Sequence, residues 1–318
     1  MRKMTNATII VPYFGKLPEF LPFFLDSCGF NPSFNWMIFS DQERFPSCPD
    51  NVTFHQLSPS RFDEMASEKL GFTIRTMEPY KVCDFKPAFG MIFGEFLGEA
   101  SFWGYCDLDM IFGRLSHFIQ PEFMENSDIL SFYKGFLSGP FSLFRNTRNV
   151  NALFKSCKAY KKFFQDPEYT GFDENIYRRE LAGVSMKKVF RLPFFTAMNP
   201  GLVVSPRELR YQFQWHIKKL SARNRSPLDM TDAIISAERN KLVKASFTDS
   251  LLTDPYFSRI KRKNWCLTWQ DGRLTDLQSG KEYMAFHFQE TKSGTGFVIE
   301  QPMKKINRFT ISPEGIHS

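Results

Sequence analysis

Residues Phe102-Trp103-Gly104-Tyr105-Cys106-Asp107-Leu108-Asp109 leave this chain few choices of fold. The aromatic and apolar run over residues 101–106 reads as a buried strand. It ends directly on two carboxylates, Asp107 and Asp109, spaced i, i+2. Charge at the end of a buried strand needs compensation. A divalent cation supplies it, because hard cations prefer oxygen ligands. Such a cation can also bridge two phosphates and stabilise the charge on a departing diphosphate. The alternative, a turn in which the aspartates cap backbone groups, stays open on these residues alone.

Around this strand the first half of the chain alternates. Residues 7–12, 35–40 and 52–57 read as strands, followed later by 129–132 and 141–145. Residues 18–28 carry apolar side chains at helical spacing. Ser60 is placed to cap a helix over 61–70. Pro87 suits the first position of a helix whose stripe is Phe89, Ile92, Phe93, Phe96 and Leu97. A further helix is expected over 147–164. Alternation of this kind predicts an α/β chain with a mostly parallel sheet and helices on both faces. Ligands of such sheets bind at the carboxyl ends of the strands, where Asp41 and Asp107 both fall.

The rest of the chain divides by texture. Residues 1–204 form the expected core. Residues 205–264 read as a basic, helical extension with Arg207, Arg210, Lys218, Lys219, Arg223 and Arg225. That stretch is either a solvated helix face or a patch for an anionic partner. Residues 265–318 open with a hairpin over 265–269 and the turn Asp271-Gly272. A last strand follows over 283–288, then a loose tail after Thr291.

Composition bounds the partners. The 37 Phe, 10 Tyr and 5 Trp supply ample area for a core. A formal net charge of +7 favours a nucleotide diphosphate, an anionic glycolipid or a membrane surface. Zinc-finger spacing and RNP-type aromatic motifs are absent, so nucleic acid is not an expected partner. Six cysteines without a C-x-x-C pair read as thiols of a reducing compartment. No segment has the ~18 apolar residues of a spanning helix, so the expected location is cytoplasmic, with peripheral membrane contact.

Three further groups could carry chemistry. Asp84 and Lys86 precede the helix expected after Pro87, where phosphate is favoured; the other reading is a helix cap with a solvated lysine. Asp173 and Glu174 could orient an acceptor hydroxyl or act as a base, or simply begin a helix. His287 alternates with Phe286 and Phe288 on a strand, so its ring points to the opposite face from theirs.

Taken together, these motifs resemble a family. Val11-Pro12-Tyr13-Phe14-Gly15-Lys16-Leu17-Pro18, Tyr80-Lys81-Val82-Cys83-Asp84-Phe85-Lys86-Pro87-Ala88, residues 102–113, Gly171-Phe172-Asp173-Glu174 and Phe286-His287-Phe288-Gln289 occur in the order seen in a family of uncharacterised bacterial proteins. That family resembles GT-A glycosyltransferases of the D-x-D type. The resemblance implies a GT-A-like, Rossmann-like mixed sheet. It implies a metal-dependent transferase using Mn2+ or Mg2+, a nucleotide-sugar donor (a UDP-sugar) and a glycan, polysaccharide or glycolipid acceptor.

By the same resemblance, Pro12 and Tyr13 contact base and ribose, and Asp41 reads the base. Asp84 and Lys86 hold donor sugar and phosphate, while Asp107 and Asp109 bind the metal with the diphosphate. Asp173 and Glu174 stand on the acceptor side, and His287 completes the metal shell. The longer histidine-glycine-lysine motif of the retaining subgroups is absent here. Asp84, Lys86 and His287 favour retention; a base at Asp173 or Glu174 would favour inversion. Two other readings are a silent nucleotide-sugar or glycan binder and a haloacid-dehalogenase-type phosphatase. The latter expects Thr or Val where Ile111 stands.

Overall fold

The computed structural model describes residues 6–43, 45, 47–133, 136–172, 227, 229–253, 262–288, 292, 296–300 and 307–317. Strands β1 (Ala7–Tyr13), β2 (Phe34–Ser40), β3 (Val52–Gln56) and β4 (Phe102–Cys106) run parallel. A short strand β5 (Met110–Phe112) leaves this sheet, and the chain returns as β6 (Ile129–Ser131) and β7 (Phe141–Arg145). With β8 (Ala245–Phe247) the order is β3-β2-β1-β4-β7-β6-β8, in which β7 alone runs against its neighbours. The fold class read from the sequence, α/β with a mostly parallel mixed sheet flanked by helices, is the one observed.

Alternate residues of each strand face opposite ways. Ile10, Trp103, Tyr105 and Phe144 enter one apolar cluster; Ile9, Val11, Trp36, Ile38, Phe102 and Leu143 enter another. Because both faces are buried, these strands carry apolar runs where a one-sided sheet would alternate. On the first face lie helix α2 (Pro59–Leu70), through Phe62, Ala66 and Leu70, and helix α3 (Met230–Arg239), through Met230, Ala233, Ile234 and Ala237. Helix α1 (Leu21–Gly29) covers the second face with Leu21, Phe24, Leu25 and Cys28. Gly104 is required in the middle of β4. A Cβ there would lie 2.5 Å from the Ser142 carbonyl oxygen.

Among the described residues there are two smaller sheets. Strand β5 pairs with β13 (Ala285–His287), which pairs with β9 (Leu251–Thr253). Strands β10 (Leu267–Gln270), β11 (Arg273–Asp276), β12 (Glu282–Tyr283), β14 (Val298–Ile299), β15 (Arg308–Ser312) and β16 (Gly315–His317) form the other, in the order β12-β11-β10-β15-β16-β14. Its first hairpin turns on Asp271 (φ 47°) and Gly272 (φ 80°), the pair of positive φ values that suits the twist of a two-residue loop. Phe23 of α1 joins the apolar cluster of this sheet, so α1 is packed from both sides. That double packing is why its sequence is apolar nearly all round.

Several expectations are corrected. The cap of α2 is Ser58, whose hydroxyl accepts from the Arg61 amide at 3.2 Å; Ser60 merely bonds Ser58. Ser58→Ala should therefore cost about 1 kcal/mol in urea unfolding, and Ser60→Ala much less. Equal losses would restore Ser60 as the cap. Pro87 begins no helix: it lies inside a 3-10 run, Pro79–Ala88. The helix expected over 89–97 is one turn, Phe89–Ile92, then another 3-10 turn. Gly90 and Gly94 each weaken a helix there by ~1 kcal/mol. The helix expected over 147–164 is likewise broken into Arg148–Asn151, Leu153–Ser156 and Tyr160–Gln165.

The chain after Thr291, expected to be loose, includes β15 and β16, whose Phe309, Ile311 and Ile316 are buried. Of the stretch 205–264, the basic residues from Arg207 to Arg225 lie outside the described residues. Its described part holds α3 and also β8 and β9, which pair into two different sheets. Among the described residues no helix is long and apolar enough to cross a membrane.

Candidate metal centre

The acids sit where the chain changes sheets. Strand β4 ends at Cys106 in the large sheet, and β5 begins at Met110 in the small one. Residues 107–109 span the gap, anchored by the buried Leu108. Strand β13 then returns antiparallel to β5 and sets His287 opposite Met110. A ladder bond from the Phe288 amide to the Asp109 carbonyl, 3.2 Å, fixes that register. As the alternation predicted, Phe286 and Phe288 enter the apolar cluster with Trp265, and the His287 ring faces the aspartates.

His287 Nε2 lies 3.2 Å from Asp109 Oδ2 and 3.9 Å from Asp107 Oδ2. One ligand atom from each of the three residues falls within a 4.8 Å cluster. Asp107 is the outer acid, with its side chain 28% exposed against 9% for Asp109. Two carboxylates and an imidazole form a donor set that could hold a divalent metal ion. Neither carboxylate accepts from a backbone amide of a described residue, so the turn-capping alternative fails.

Two lysines balance the acids. The Lys86 ammonium donates to Asp107 Oδ1 at 2.7 Å and to the Gly139 carbonyl at 2.9 Å. Lys292 donates to Asp109 Oδ2. Burial alone would raise the Asp109 carboxyl, but His287 and then Lys292 outweigh it and hold the group well below the usual carboxylate range. Burial would likewise lower the His287 imidazolium. The charges of Asp109 and Asp107 reverse this and raise it.

Other residues singled out in the sequence divide. Pro12 and Tyr13 end β1, and Asp41 follows β2, on the same carboxyl edge as Asp107. Asp41 accepts from the Gly15 amide at 2.9 Å and so ties the ends of β1 and β2 together. Burial raises the Tyr13 phenol; Lys292 opposes this and Asp109 adds to it. Asp84 stands apart, fully buried and 2.8 Å from the Lys81 ammonium. Its oxygens accept from the amides of Thr170, Gly171 and Phe172 at 2.8, 2.9 and 2.9 Å. Lys81 also holds the carbonyls of Phe163 and Glu168. With every lone-pair direction engaged, Asp84 is a structural clamp and not the sugar contact expected of it. Asp173 and Glu174 lie outside the described residues. Lys292 was missed. Nothing in its Gly-, Ser- and Lys-rich surroundings marks it, and its partner is 183 residues away.

No curated protein matches the sequence. Among solved structures the chain is similar to the galactosyltransferase LgtC in complex with donor and acceptor sugar analogues, at 6% identity over 92% of this chain and 88% of that one, TM-score 0.34. It is similar to mouse xyloside xylosyltransferase 1, apo form, at 10% identity over 91% and 99%, TM-score 0.35. A third is the glycosyltransferase GlyE of Streptococcus pneumoniae TIGR4, at 10% identity over 78% and 68%, TM-score 0.26. The sequence model of the family of unknown function DUF6625 matches residues 9–318, and the chain belongs to that family.

Proposed function

We propose that the protein is a metal-dependent glycosyltransferase that moves a sugar from a nucleotide donor, a UDP-sugar, to a glycan or glycolipid acceptor. The observation that carries this reading is the convergence of Asp107, Asp109 and His287 at the carboxyl edge of the sheet. A divalent cation held there would supply Lewis-acid stabilisation to the negative charge of the departing diphosphate. Lys86 fixes the rotamer of Asp107 by occupying Oδ1, which leaves Oδ2 towards His287. Pro12, Tyr13 and Asp41 form the nucleoside side of the cleft in this proposal. Asp173 and Glu174 serve the acceptor side, where the attacking hydroxyl approaches the anomeric carbon. The net charge of +7 supports an anionic acceptor or a membrane surface, and hence polysaccharide or glycolipid synthesis at the cytoplasmic face.

Retention is the outcome we favour, on Lys86 and His287, and the anomeric configuration of the first-formed product, read by NMR, checks it. The reading as a whole is tested by thermal unfolding. UDP at about a hundredfold over its dissociation constant should raise the midpoint by about 5 °C with Mn2+ present and not in EDTA. A panel of UDP-sugars should then show Mn2+-dependent donor hydrolysis. A shift without turnover would point to a silent binder; metal-independent release of phosphate from an aryl phosphate would point to a phosphatase.

A further inference from the structure

The two lysines at the centre are not equivalent. Lys86 binds Asp107 through Oδ1, the oxygen turned away from the imidazole, and a second bond to Gly139 holds it there. Lys292 sits on Asp109 Oδ2, the same oxygen that lies 3.2 Å from His287 Nε2. Asp109 is one of the three residues whose ligand atoms lie within 4.8 Å of one another. An ammonium on that oxygen and a divalent ion in the cluster are like charges a few ångström apart, so each disfavours the other.

We propose that Lys292 is an internal competitor for the cation seat: its ammonium occupies Asp109 in the cation-free protein and must leave before a divalent ion can bind. This rests on the reading that Asp107, Asp109 and His287 hold such an ion. The contact has a physical reason in the free protein. Asp109 is almost wholly buried, and a buried carboxylate without a counter-charge is costly. Lys292 supplies that charge from a side chain still 34% exposed, so it can withdraw to water without unfolding its surroundings. Lys86, at 7%, has no such freedom. The site is therefore neutralised by one fixed and one removable lysine, and its affinity for cation alone is reduced by whatever the removable contact contributes. Charge-assisted hydrogen bonds of this kind contribute enough to change a binding constant about tenfold or more.

Mn2+ binding, measured by calorimetry and by loss of the free-ion EPR signal with no nucleotide present, tests this. Lys292→Gln should bind Mn2+ about tenfold more tightly than the unaltered protein. Lys292→Arg, which keeps the cation, should bind as the unaltered protein does. Lys86→Gln should show no tightening, because Lys86 does not cover the ligand oxygen. Equal affinity of Lys292→Gln and the unaltered protein would overturn the inference. So would equal tightening in both glutamine variants, which a simple field effect produces. If Mn2+ binds the unaltered protein and Asp109→Ala alike, the cation lies elsewhere. In that case the reading of the centre itself fails, and the competitor fails with it.

Discussion

Asp109→Asn should lower metal-dependent turnover of the donor about 10³-fold while the protein stays folded. The amide matches the carboxylate in shape but carries no charge, and a neutral oxygen is a poor substitute in a cluster of three ligands. The fold tolerates the change for a local reason. Lys292 can turn to water, and His287 loses the nearer of its two anionic partners, which removes the larger cause holding its ring charged. Donor hydrolysis at saturating Mn2+ measures the effect, and far-UV circular dichroism with the thermal midpoint controls for folding. Turnover within tenfold of the unaltered protein would remove Asp109 from the reaction.

Asp84→Ala should instead act on stability, by about 3–5 kcal/mol. The variant leaves the Lys81 ammonium buried beside Phe163 and Glu168 with no counter-charge. It also strips the amides of Thr170, Gly171 and Phe172 of their acceptor. Each loss falls among the mechanisms that give large single-site effects. Adding Lys81→Met should recover only part of the stability, because the three amides stay unsatisfied. Urea unfolding followed by fluorescence reads both variants. A loss below about 1 kcal/mol for Asp84→Ala would contradict the clamp.

What the sequence revealed depended on how local the signal was. Strands β1, β2, β4 and β7 were legible because burial leaves them mostly apolar, with few polar interruptions. The phenylalanine stripe from Phe89 to Leu97 misled for the converse reason. Its rings pack together, Phe89 on Phe93 at 5.3 Å and Phe39 on Phe93 at 4.5 Å, without requiring a continuous helix. Tertiary packing of large rings satisfied the spacing while Gly90 and Gly94 broke the backbone pattern. At the centre, Asp107, Asp109 and the facing of His287 followed from strand ends and two-residue alternation. Asp84 did not, since a clamp and a ligand-binding acid look alike until the amides of residues 170–172 are placed. Lys292 had no periodicity to betray it, and Ser58 was hidden by a second serine two positions on.

The passage of the chain from the large sheet to β5 and back through β13 sets a timetable for synthesis. Both acids and Lys86 leave the ribosome more than a hundred residues before His287 and Lys292 do. A growing polypeptide that has reached only residue 250 holds two of the three cluster residues, and lacks both His287 and Lys292. The three-residue cluster therefore closes only once β13 has been made, and that strand pairs with segments that precede it in the chain.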